Sequence, residues 1–305
     1  TSRRPAVHEF PEHVRNHRHV LRKLMHGGPR DVPHLHPPCD VPSGDAMTNI
    51  GQCAARLIAA YDHVETLDPF TRQDPQFTMA DGYAVLHEIE EHRRASGWQS
   101  VGRKIGFTNR TLWARYDIDR PLVASVWDRT LVLSGGAEVT VPLAPFCQPR
   151  IEPEVVFRLR TPVPVTDDPG RVLECVEWVA AGFEIVQSHY PGWRFKAPDC
   201  AAGFGLHGAL VVGEPVPIDA RDGRDTVRLF ETFTLTLARD GIVQQTGRGD
   251  VVLGSPLLAL AQVARLLAQM PQFSPLAAGE IVTTGTLTDA LPVGAGERWE
   301  ADYGA

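Results

Sequence analysis

The sequence predicts an α+β fold in which two N-terminal helices precede a mixed or rolled β-sheet. Two amphipathic helical patterns come first, many short strand patterns follow, and one further amphipathic helix appears late in the chain. Strands and helices therefore do not alternate, as they would in a doubly wound parallel sheet. The sequence also contains no G-x-G-x-x-G, P-loop or G-x-S-x-G motif, so nothing in it indicates those nucleotide-binding or serine-hydrolase sites.

Composition excludes several classes of protein. With 305 residues, of which 43% are hydrophobic, the chain can bury a substantial core. A net charge of −7 argues against a nucleic-acid partner. No run approaches the roughly 18 consecutive apolar residues of a membrane span, so we expect no membrane partner.

The cysteines indicate a reducing compartment. They are odd in number, widely spaced and contain no C-x-x-C pair, which fits free thiols better than a disulfide framework or a zinc site. The N-terminal residues also carry no secretory apolar core. We therefore expect a cytoplasmic protein.

Residues 1–46 differ in composition from everything after them. They hold seven of the 12 histidines and a proline-rich run, and they show no apolar periodicity. The histidines could be metal ligands, but no paired spacing recurs among them. We expect a disordered or artificially added leader before a natural start near Met47, and a single domain over residues 47–305.

Both front helices follow from apolar spacing and capping signals. Residues 48–67 carry apolar side chains at helical three-and-four spacing. A second helix begins at Thr78, where Thr-Met-Ala-Asp is a capping box, and ends at Gly97. Two antiparallel helices at the front of a domain usually cover a sheet or a dimer partner, and we expect a homo-oligomer.

The rest of the chain shows mostly short strand patterns. The predicted strands are residues 102–107, 121–127, 132, 139–141, 151–157, 180–186, 206–212, 233–237, 242–245 and 280–283. A Gly-Gly turn joins the third and fourth strands, and Asp-Gly at residues 240–241 makes a tight hairpin turn. Two helices interrupt this series, over residues 168–178 and 255–270, and both begin with a capping residue followed by proline.

Two strands carry the acidic residues on which the functional prediction depends. Glu152 and Glu154 alternate with apolar residues, so both project from one face of their strand. Alone, this pair also fits a solvent-exposed edge strand. Glu184, however, is a single acid in an otherwise apolar strand, where a carboxylate is costly unless it is paired or bound to a metal. Three carboxylates from two strands suit Mg²⁺ or Mn²⁺.

Lysine usage marks further positions. Only Lys23, Lys104 and Lys196 are lysines among the 30 basic residues, so the later two are candidates for a role that arginine cannot fill. Lys196 lies in an aromatic and cationic loop, residues 190–199, which is either an ordinary packed loop or a lid that supplies Lys196 to a bound anion. The motif Thr-Gly-Thr at residues 284–286 suits a backbone turn that hydrogen-bonds a carboxylate.

Five segments together resemble the fumarylacetoacetate hydrolase superfamily in their order and spacing. They are residues 102–107, 150–157, 183–188, 195–199 and 279–287. The resemblance covers residues 48–305. It points to the hydratase/decarboxylase branch, because Glu184 stands where the hydrolase branch typically has aspartate. It implies a mixed β-roll and a catalytic domain over residues 47–305.

The resemblance also implies an active site. Its metal ligands for Mg²⁺ or Mn²⁺ would be Glu152, Glu154 and Glu184. Its catalytic residues would be Lys104, Asp128 and Lys196. Lys104 would stabilise the developing oxyanion or the substrate carboxylate, and Asp128 would move protons. Thr286 would lie near the substrate carboxylate.

Three positions depart from the pattern of the branch. The residues Gln-Ser-His at 187–189 stand where the branch usually reads Asp-Ser-Arg. Residues 202–205 replace an Asp-Asn-Ala-Ser stretch, and Arg129 replaces a second acid beside Asp128. The metal ligands are unaffected, so these changes bear on the substrate.

The implied function is a metal-dependent lyase that adds water to a small 2-hydroxy-2,4-dienoate in aromatic or related catabolism. The first alternative is a decarboxylase of a 2-oxo-3-enedioate of the 4-oxalocrotonate type, because both reactions use the same conjugated electron sink. A cation for a second carboxylate would decide between them, and the candidates are Arg129, Arg194 and His189. An acylpyruvate-type C–C hydrolase and a non-catalytic metal-binding scaffold are the further alternatives.

Overall fold

The structure is a computed structural model that describes residues 18–21, 49–219 and 223–304. Its helices are α1 (Ile50–His63), α2 (Phe70–Gln73), α3 (Met79–Ala95), α4 (Trp113–Tyr116), α5 (Pro169–Leu173), α6 (Ala197–Ala202), α7 (Gly223–Thr232) and α8 (Pro256–Ala268). Its strands are β1 (Arg18–Leu21), β2 (Ser100–Gly106), β3 (Leu122–Trp127), β4 (Leu131–Leu133), β5 (Arg150–Leu159), β6 (Val176–Val186), β7 (His207–Val212), β8 (Val216–Pro217), β9 (Thr234–Arg239), β10 (Ile242–Arg248), β11 (Ile281–Thr283), β12 (Leu291–Pro292) and β13 (Trp299–Asp302).

The strands form the mixed sheet that the sequence predicts. The larger sheet has the order β3-β2-β11-β5-β6-β7-β4, with β12 beside β5 and β8 beside β6. In it, β11 runs parallel to β2 and β4 runs parallel to β7, whereas the other neighbours are antiparallel. A second sheet has the order β1-β13-β9-β10. The second sheet is antiparallel throughout. Helices packed on a curled mixed sheet make this an α+β fold.

β5 and β6 lie at the centre of the larger sheet and pair along almost their whole length. In this register Glu152 lies opposite Glu184, and Glu154 lies opposite Gly182. A Cβ at residue 182 would come within 2.6 Å of Val156 Cγ2, so only glycine fits there. The pairing brings the acids of both strands onto one patch of the sheet.

The main core packs this sheet against α8. Ser255 caps the helix, because its side chain accepts a hydrogen bond from Leu257 N. Most of the apolar residues of α8 are buried in the same cluster as those of β3, β5 and β6. Within the described residues, one helical segment, Gly249–Ala268, is long and apolar enough to cross a membrane. Most of this apolar stretch, 61%, is buried inside the protein, as in a core helix.

The front helices α1 and α3 confirm the sequence prediction. Asn49 caps α1 by accepting a hydrogen bond from Gln52 N, and Thr78 and Asp81 form the predicted capping box of α3. Both helices contribute to a smaller apolar cluster, which also contains Phe204 from the loop before β7. The helices thus cover one side of the loops that follow β6.

Two element predictions differ from the structure, and two of its helices have no predicted counterpart. The helix predicted over residues 168–178 ends at Leu173, because β6 already begins at Val176 and pairs with β5. Residues 139–141 do not pair with the strand at Val132, since β4 instead runs along β7. The sequence patterns indicate neither α6 nor α7.

Of the leader, the structure describes only Arg18–Leu21. These residues form an edge strand that pairs antiparallel with Trp299–Asp302 of β13. The expectation of a disordered or added leader over residues 1–46 otherwise falls outside the described residues. The division of the chain near residue 46 therefore stays a prediction.

Candidate active site

A cavity of about 210 Å³ lies where β2 and β6 end and β5 begins. Its polar lining consists of Lys104, Thr108, Asn109, Arg150, Glu152, Thr286 and Asp289. Its aromatic and aliphatic lining consists of Phe107, Leu112, Tyr116, Val186, Trp193, Phe195, Leu206, Ala290 and Leu291. Convergent charged groups within largely apolar walls are typical of a site for a small ligand.

Three carboxylates meet at this cavity. One oxygen from each of Glu152, Glu154 and Glu184 lies within 4.8 Å of the others. The β5–β6 register is the cause, because it sets Glu152 opposite Glu184 and places Glu154 two residues further along the same face. Glu154 and Glu184 are fully buried, and Glu152 lines the cavity. The structure thus brings together the three acids that the sequence singles out.

Neighbouring groups fix the orientation of the two buried carboxylates. The backbone N–H of Gly285 donates to Glu154 Oε2 at 2.8 Å. His207 Nδ1 donates to Glu184 Oε1 at 2.7 Å, and Thr130 Oγ1 lies 2.8 Å from the other ring nitrogen of His207. The Thr-Gly-Thr turn does therefore hydrogen-bond a carboxylate, but that carboxylate belongs to the protein.

Lys104 lies beside the three acids. Its ammonium is 3.3 Å from Glu184 Oε2 and donates to the carbonyl oxygen of Gly205 at 2.9 Å. Burial opposes the charged form, but the three glutamates outweigh burial and raise the pKa of Lys104. Lys104 is thus a buried, fixed cation at the edge of the cavity.

The three carboxyls differ in pKa. Burial raises the pKa of Glu152 to about 7, against the opposing effect of Lys104. Burial, together with the charges of the other two acids, raises the pKa of Glu154 well above its ordinary value. Burial would also raise the pKa of Glu184, but Lys104 and the His207 hydrogen bond outweigh it and lower that pKa. Without a further cation, the cluster holds protons in place of three full negative charges.

The cluster fits a hard divalent cation. Glu154 Oε1 and Glu184 Oε2 are buried and have no hydrogen-bond partner, although the Lys104 ammonium faces the second oxygen at 3.3 Å. Three carboxylates are the oxygen donors that Mg²⁺ and Mn²⁺ prefer. A bound cation would give both oxygens a partner and relieve the repulsion among the three charges.

The cavity contains a second cation, Arg150. Its guanidinium lies 4.1 Å from the centroid of the Trp193 ring. Arg150 alternates with Glu152 along β5, so the two side chains lie on the same face of the strand. Thr286 also lines the cavity, as the resemblance implies, and its hydroxyl donates to Thr288 O at 2.9 Å.

Asp128 does not reach this cavity, which corrects the sequence prediction. It follows β3, is exposed, and accepts a hydrogen bond from Gln99 N at 3.0 Å. Lys104 lies opposite Ala124 in the β2–β3 register. Asp128 lies four positions after Ala124 along the extended chain, a distance of roughly 13 Å. The strand thus carries Asp128 away from the acids.

Lys196 and Arg194 also lie outside the cavity lining, which corrects their predicted pocket positions. Both side chains are exposed, and the Lys196 backbone N–H donates to Asp199 Oδ2 at 3.0 Å at the start of α6. The loop that carries them nevertheless contributes to the cavity through Trp193 and Phe195. Its contribution is an aromatic wall.

His189 and Arg129 are not cavity residues either. The buried His189 donates through Nδ1 to Glu65 O at 2.9 Å, and burial lowers its pKa. Arg129 is exposed, with its guanidinium 5.0 Å from the centroid of the Trp98 ring. Of the cations proposed for a second substrate carboxylate, none therefore lines the cavity.

Sequence reasoning missed Arg150, Tyr116 and His207. Arg150 precedes the two acids of β5 at the same alternation, so strand periodicity could have indicated it. Tyr116 stacks on Phe195 with ring centroids 5.5 Å apart, and His207 comes from a separate strand. Nothing local in the sequence marks these two residues, because only the tertiary fold brings them to the site.

A curled mixed sheet that carries three convergent carboxylates and a buried lysine defines the class of this protein. Residues 106–304 match the family described as Fumarylacetoacetate (FAA) hydrolase C-terminal. The chain therefore belongs to the fumarylacetoacetate hydrolase family. This confirms the family and the fold that the sequence predicts.

Named enzymes are among the relatives of this chain. It is 30% identical over 253 residues to 2-hydroxyhexa-2,4-dienoate hydratase of Comamonas testosteroni, which covers 80% of this chain and 90% of the relative. It is 30% identical over 251 residues to 2-keto-4-pentenoate hydratase of Paraburkholderia xenovorans (strain LB400). This match covers 82% of this chain and 89% of the relative. It also resembles the structure of 4-oxalocrotonate decarboxylase from Pseudomonas putida G7 complexed with magnesium and adipate, at 25% identity and a TM-score of 0.74. The superposition covers 83% of this chain and 92% of that structure.

Proposed function

We propose that this protein is a Mg²⁺- or Mn²⁺-dependent lyase that adds water to a 2-hydroxy-2,4-dienoate. One observation carries the proposal: Glu152, Glu154 and Glu184 converge within 4.8 Å beside a buried lysine, at the wall of a cavity sized for a small acid. The two hydratases at 30% identity support the reaction class. When bound, the metal would supply Lewis-acid polarisation of the substrate's 2-oxygen.

The chain's own residues would bind and orient the substrate. The three glutamates would hold the metal. Lys104 would stabilise negative charge that develops on the substrate oxygen, since it is a fixed cation in a buried position. Arg150 is placed to pair with a carboxylate, and Thr286 stays the proposed hydroxyl contact for the substrate carboxylate.

Asp289 is a better candidate for proton transfer than Asp128. In the part of the chain that the structure describes, it is the one carboxylate outside the glutamate cluster that lines the cavity. It is also exposed, and Gln245 Nε2 donates to its Oδ2 at 3.4 Å. A carboxylate at the mouth is placed to exchange protons between substrate and bulk water.

A decarboxylase is the second candidate function, and Arg150 is the observation that favours it. Arg150 lines the cavity and forms no ion pair with any carboxylate that the structure describes, so it could bind the second carboxylate of a 2-oxo-3-enedioate. The aromatic and aliphatic walls favour the hydratase instead, because Phe107, Tyr116 and Leu291 suit an apolar substrate end.

A direct comparison of substrates tests the proposal. Metal-loaded protein is incubated with 2-hydroxypenta-2,4-dienoate and, separately, with 4-oxalocrotonate, while dienol absorbance and carbon dioxide are followed. We expect the first substrate to lose its dienol absorbance without release of carbon dioxide. Faster turnover of the second substrate with carbon dioxide release would favour the decarboxylase. No turnover of either, with metal content verified, would favour the non-catalytic scaffold.

A cytoplasmic location and a homo-oligomeric state, both expected from the sequence, complete the proposal. Light scattering coupled to gel filtration tests the homo-oligomeric state. A monomeric mass would contradict it.

A further inference from the structure

We propose that Arg93 and Phe204 are positioning residues for Lys104, and that they act through the carbonyl group of Gly205. Neither residue lines the cavity. The inference rests on the proposed function only in giving Lys104 a role in turnover. The turn at residues 203–206 connects them to Lys104.

The inner side of the turn holds Lys104. Gly205 O accepts a hydrogen bond from the ammonium at 2.9 Å, and Glu184 Oε2 lies 3.3 Å from the same ammonium. The turn also packs on the lysine stem: a Cβ on Gly205 would lie 3.5 Å from Lys104 Cδ and 2.8 Å from Ala124 Cβ. The position of Gly205 therefore determines where the ammonium lies relative to the glutamates.

The turn adopts a costly backbone conformation. Phe204, Gly205 and Leu206 have φ angles of +60°, +58° and +65°. Only glycine enters this left-handed region freely, and side chains such as Phe and Leu adopt it where their surroundings impose it. Contacts on the outer side of the turn are therefore needed to keep Gly205 in place.

Arg93 supplies the central contact on that outer side. Its guanidinium lies 4.5 Å from the centroid of the Phe204 ring and 4.7 Å from those of Tyr61 and Trp98. Tyr61 in turn packs on Phe204 with ring centroids 5.1 Å apart. Arg93 is only 6% exposed and forms no ion pair with a carboxylate in the described ranges. Ring faces, Phe204 among them, stabilise its charge, together with the Tyr61 hydroxyl and the nearby carboxylates of Glu90 and Asp62.

This contact is directional, which distinguishes it from ordinary packing. A cation attracts the face of a ring and not its edge, so Arg93 fixes the orientation of the Phe204 ring. One peptide unit joins Phe204 to Gly205, and the Gly205 carbonyl holds Lys104. A change at Arg93 is thus transmitted over two covalently linked residues to the catalytic ammonium.

Arg93→Met tests this role, because it removes the cation and keeps a long apolar side chain. We expect kcat to fall roughly tenfold to a hundredfold, since small displacements of a catalytic group are this costly. Phe204→Leu should lower kcat by a similar factor, because it removes the ring that Arg93 contacts. Arg72→Met is the control: Arg72 is exposed in α2, pairs with the exposed Asp68, and should leave kcat unchanged.

A double-mutant cycle separates positioning from general packing. If Arg93 acts through Lys104, adding Arg93→Met to Lys104→Met should cause no further loss of kcat. A loss in the double variant equal to the product of the two single losses would overturn the inference.

A crystal structure of Arg93→Met provides a readout that needs no substrate. We expect the Gly205 carbonyl and the Lys104 ammonium to be displaced relative to Glu184. If both stay in place, the inference fails whatever the enzyme does. If the wild-type protein turns over neither proposed substrate, only the proposed function fails, and this structural test still decides the inference.

Discussion

At the scale of single residues, burial separates side chains that look equivalent in the sequence. Rarity of lysine marks both Lys104 and Lys196 as candidates. Lys104 is 3% exposed and faces Glu184 at 3.3 Å, whereas Lys196 is exposed outside the cavity lining. Residue type could therefore mark both lysines, but not which of the two lies beside the glutamates.

Substitution by arginine should distinguish the two lysines. We expect Lys104→Arg to fold and to lose turnover by on the order of a hundredfold, because the larger planar guanidinium does not fit the space of a buried ammonium. Lys196→Arg is the matched control and should be silent, since its side chain lies in solvent. Steady-state kinetics and melting temperatures of both variants provide the measurement. Full activity in Lys104→Arg would return Lys104 to a structural role.

Glu184→Gln should weaken metal binding without unfolding the protein. The change removes one anionic ligand and nearly preserves volume, so we expect the affinity for Mg²⁺, measured by calorimetry, to fall by at least about tenfold. Glu177→Gln on the same strand is the control, because Glu177 is half-exposed and forms an ion pair with the half-exposed Arg158. An unfolded Glu184→Gln protein would instead show that Glu184 is structural.

At the scale of elements, the sequence predicts the features that depend on neighbouring residues, such as helix caps and strand alternation. The capping box at Thr78 and the alternation through Glu152 are readable in the sequence, and both are confirmed. The pocket position of Asp128 is wrong. The β2–β3 register, and not residue type, decides which β3 residues lie near Lys104, and Asp128 follows the far end of that strand. Element boundaries fail for the same reason: pairing with β5 ends the helix predicted over residues 168–178.

The turn after β11 offers a test of how an element supports the site. Gly285 has a φ of +93°, and a Cβ there would lie 1.9 Å from Thr108 Oγ1. We expect Gly285→Ala to lower the free energy of unfolding by well over 1 kcal/mol, roughly the cost of positive φ alone. It should also weaken Mg²⁺ binding, because Gly285 N–H holds Glu154.

Gly279→Ala is the control for this turn. Gly279 has a φ of +86° but no atom within 4 Å of an added Cβ, so only the backbone cost applies. Denaturant titrations and calorimetry on both variants provide the comparison. Equal losses of stability and equal Mg²⁺ affinity would contradict a supporting role for the turn.

At the scale of the whole molecule, the sequence predicts the fold class, the family and the acid cluster. Glu184 could be found because a single acid is unusual in an apolar strand, and the alternation of Glu152 and Glu154 places both acids on one face of theirs. His207 and Asp289 could not be found in the same way, because only strand pairing and long loops bring His207 to Glu184 and Asp289 to the cavity. Composition alone carries no information about which exposed cations face the cavity.

Deletion of residues 1–46 tests the predicted domain boundary. We expect melting temperature and turnover to be unchanged within error, because the described part of this segment is a four-residue edge strand on β13. The measurement is a thermal melt beside an activity assay on the full and shortened chains. A large loss in either would show that the leader belongs to the folded domain.

The most direct measurement of the central claim is anomalous X-ray diffraction from crystals soaked in Mn²⁺. We predict one strong manganese peak bounded by carboxylate oxygens of Glu152, Glu154 and Glu184, close to Lys104 and open to the cavity. The peak should weaken or vanish in Glu184→Gln crystals soaked in the same way. A wild-type crystal with no peak among these three side chains, or with its manganese bound elsewhere, would contradict the account.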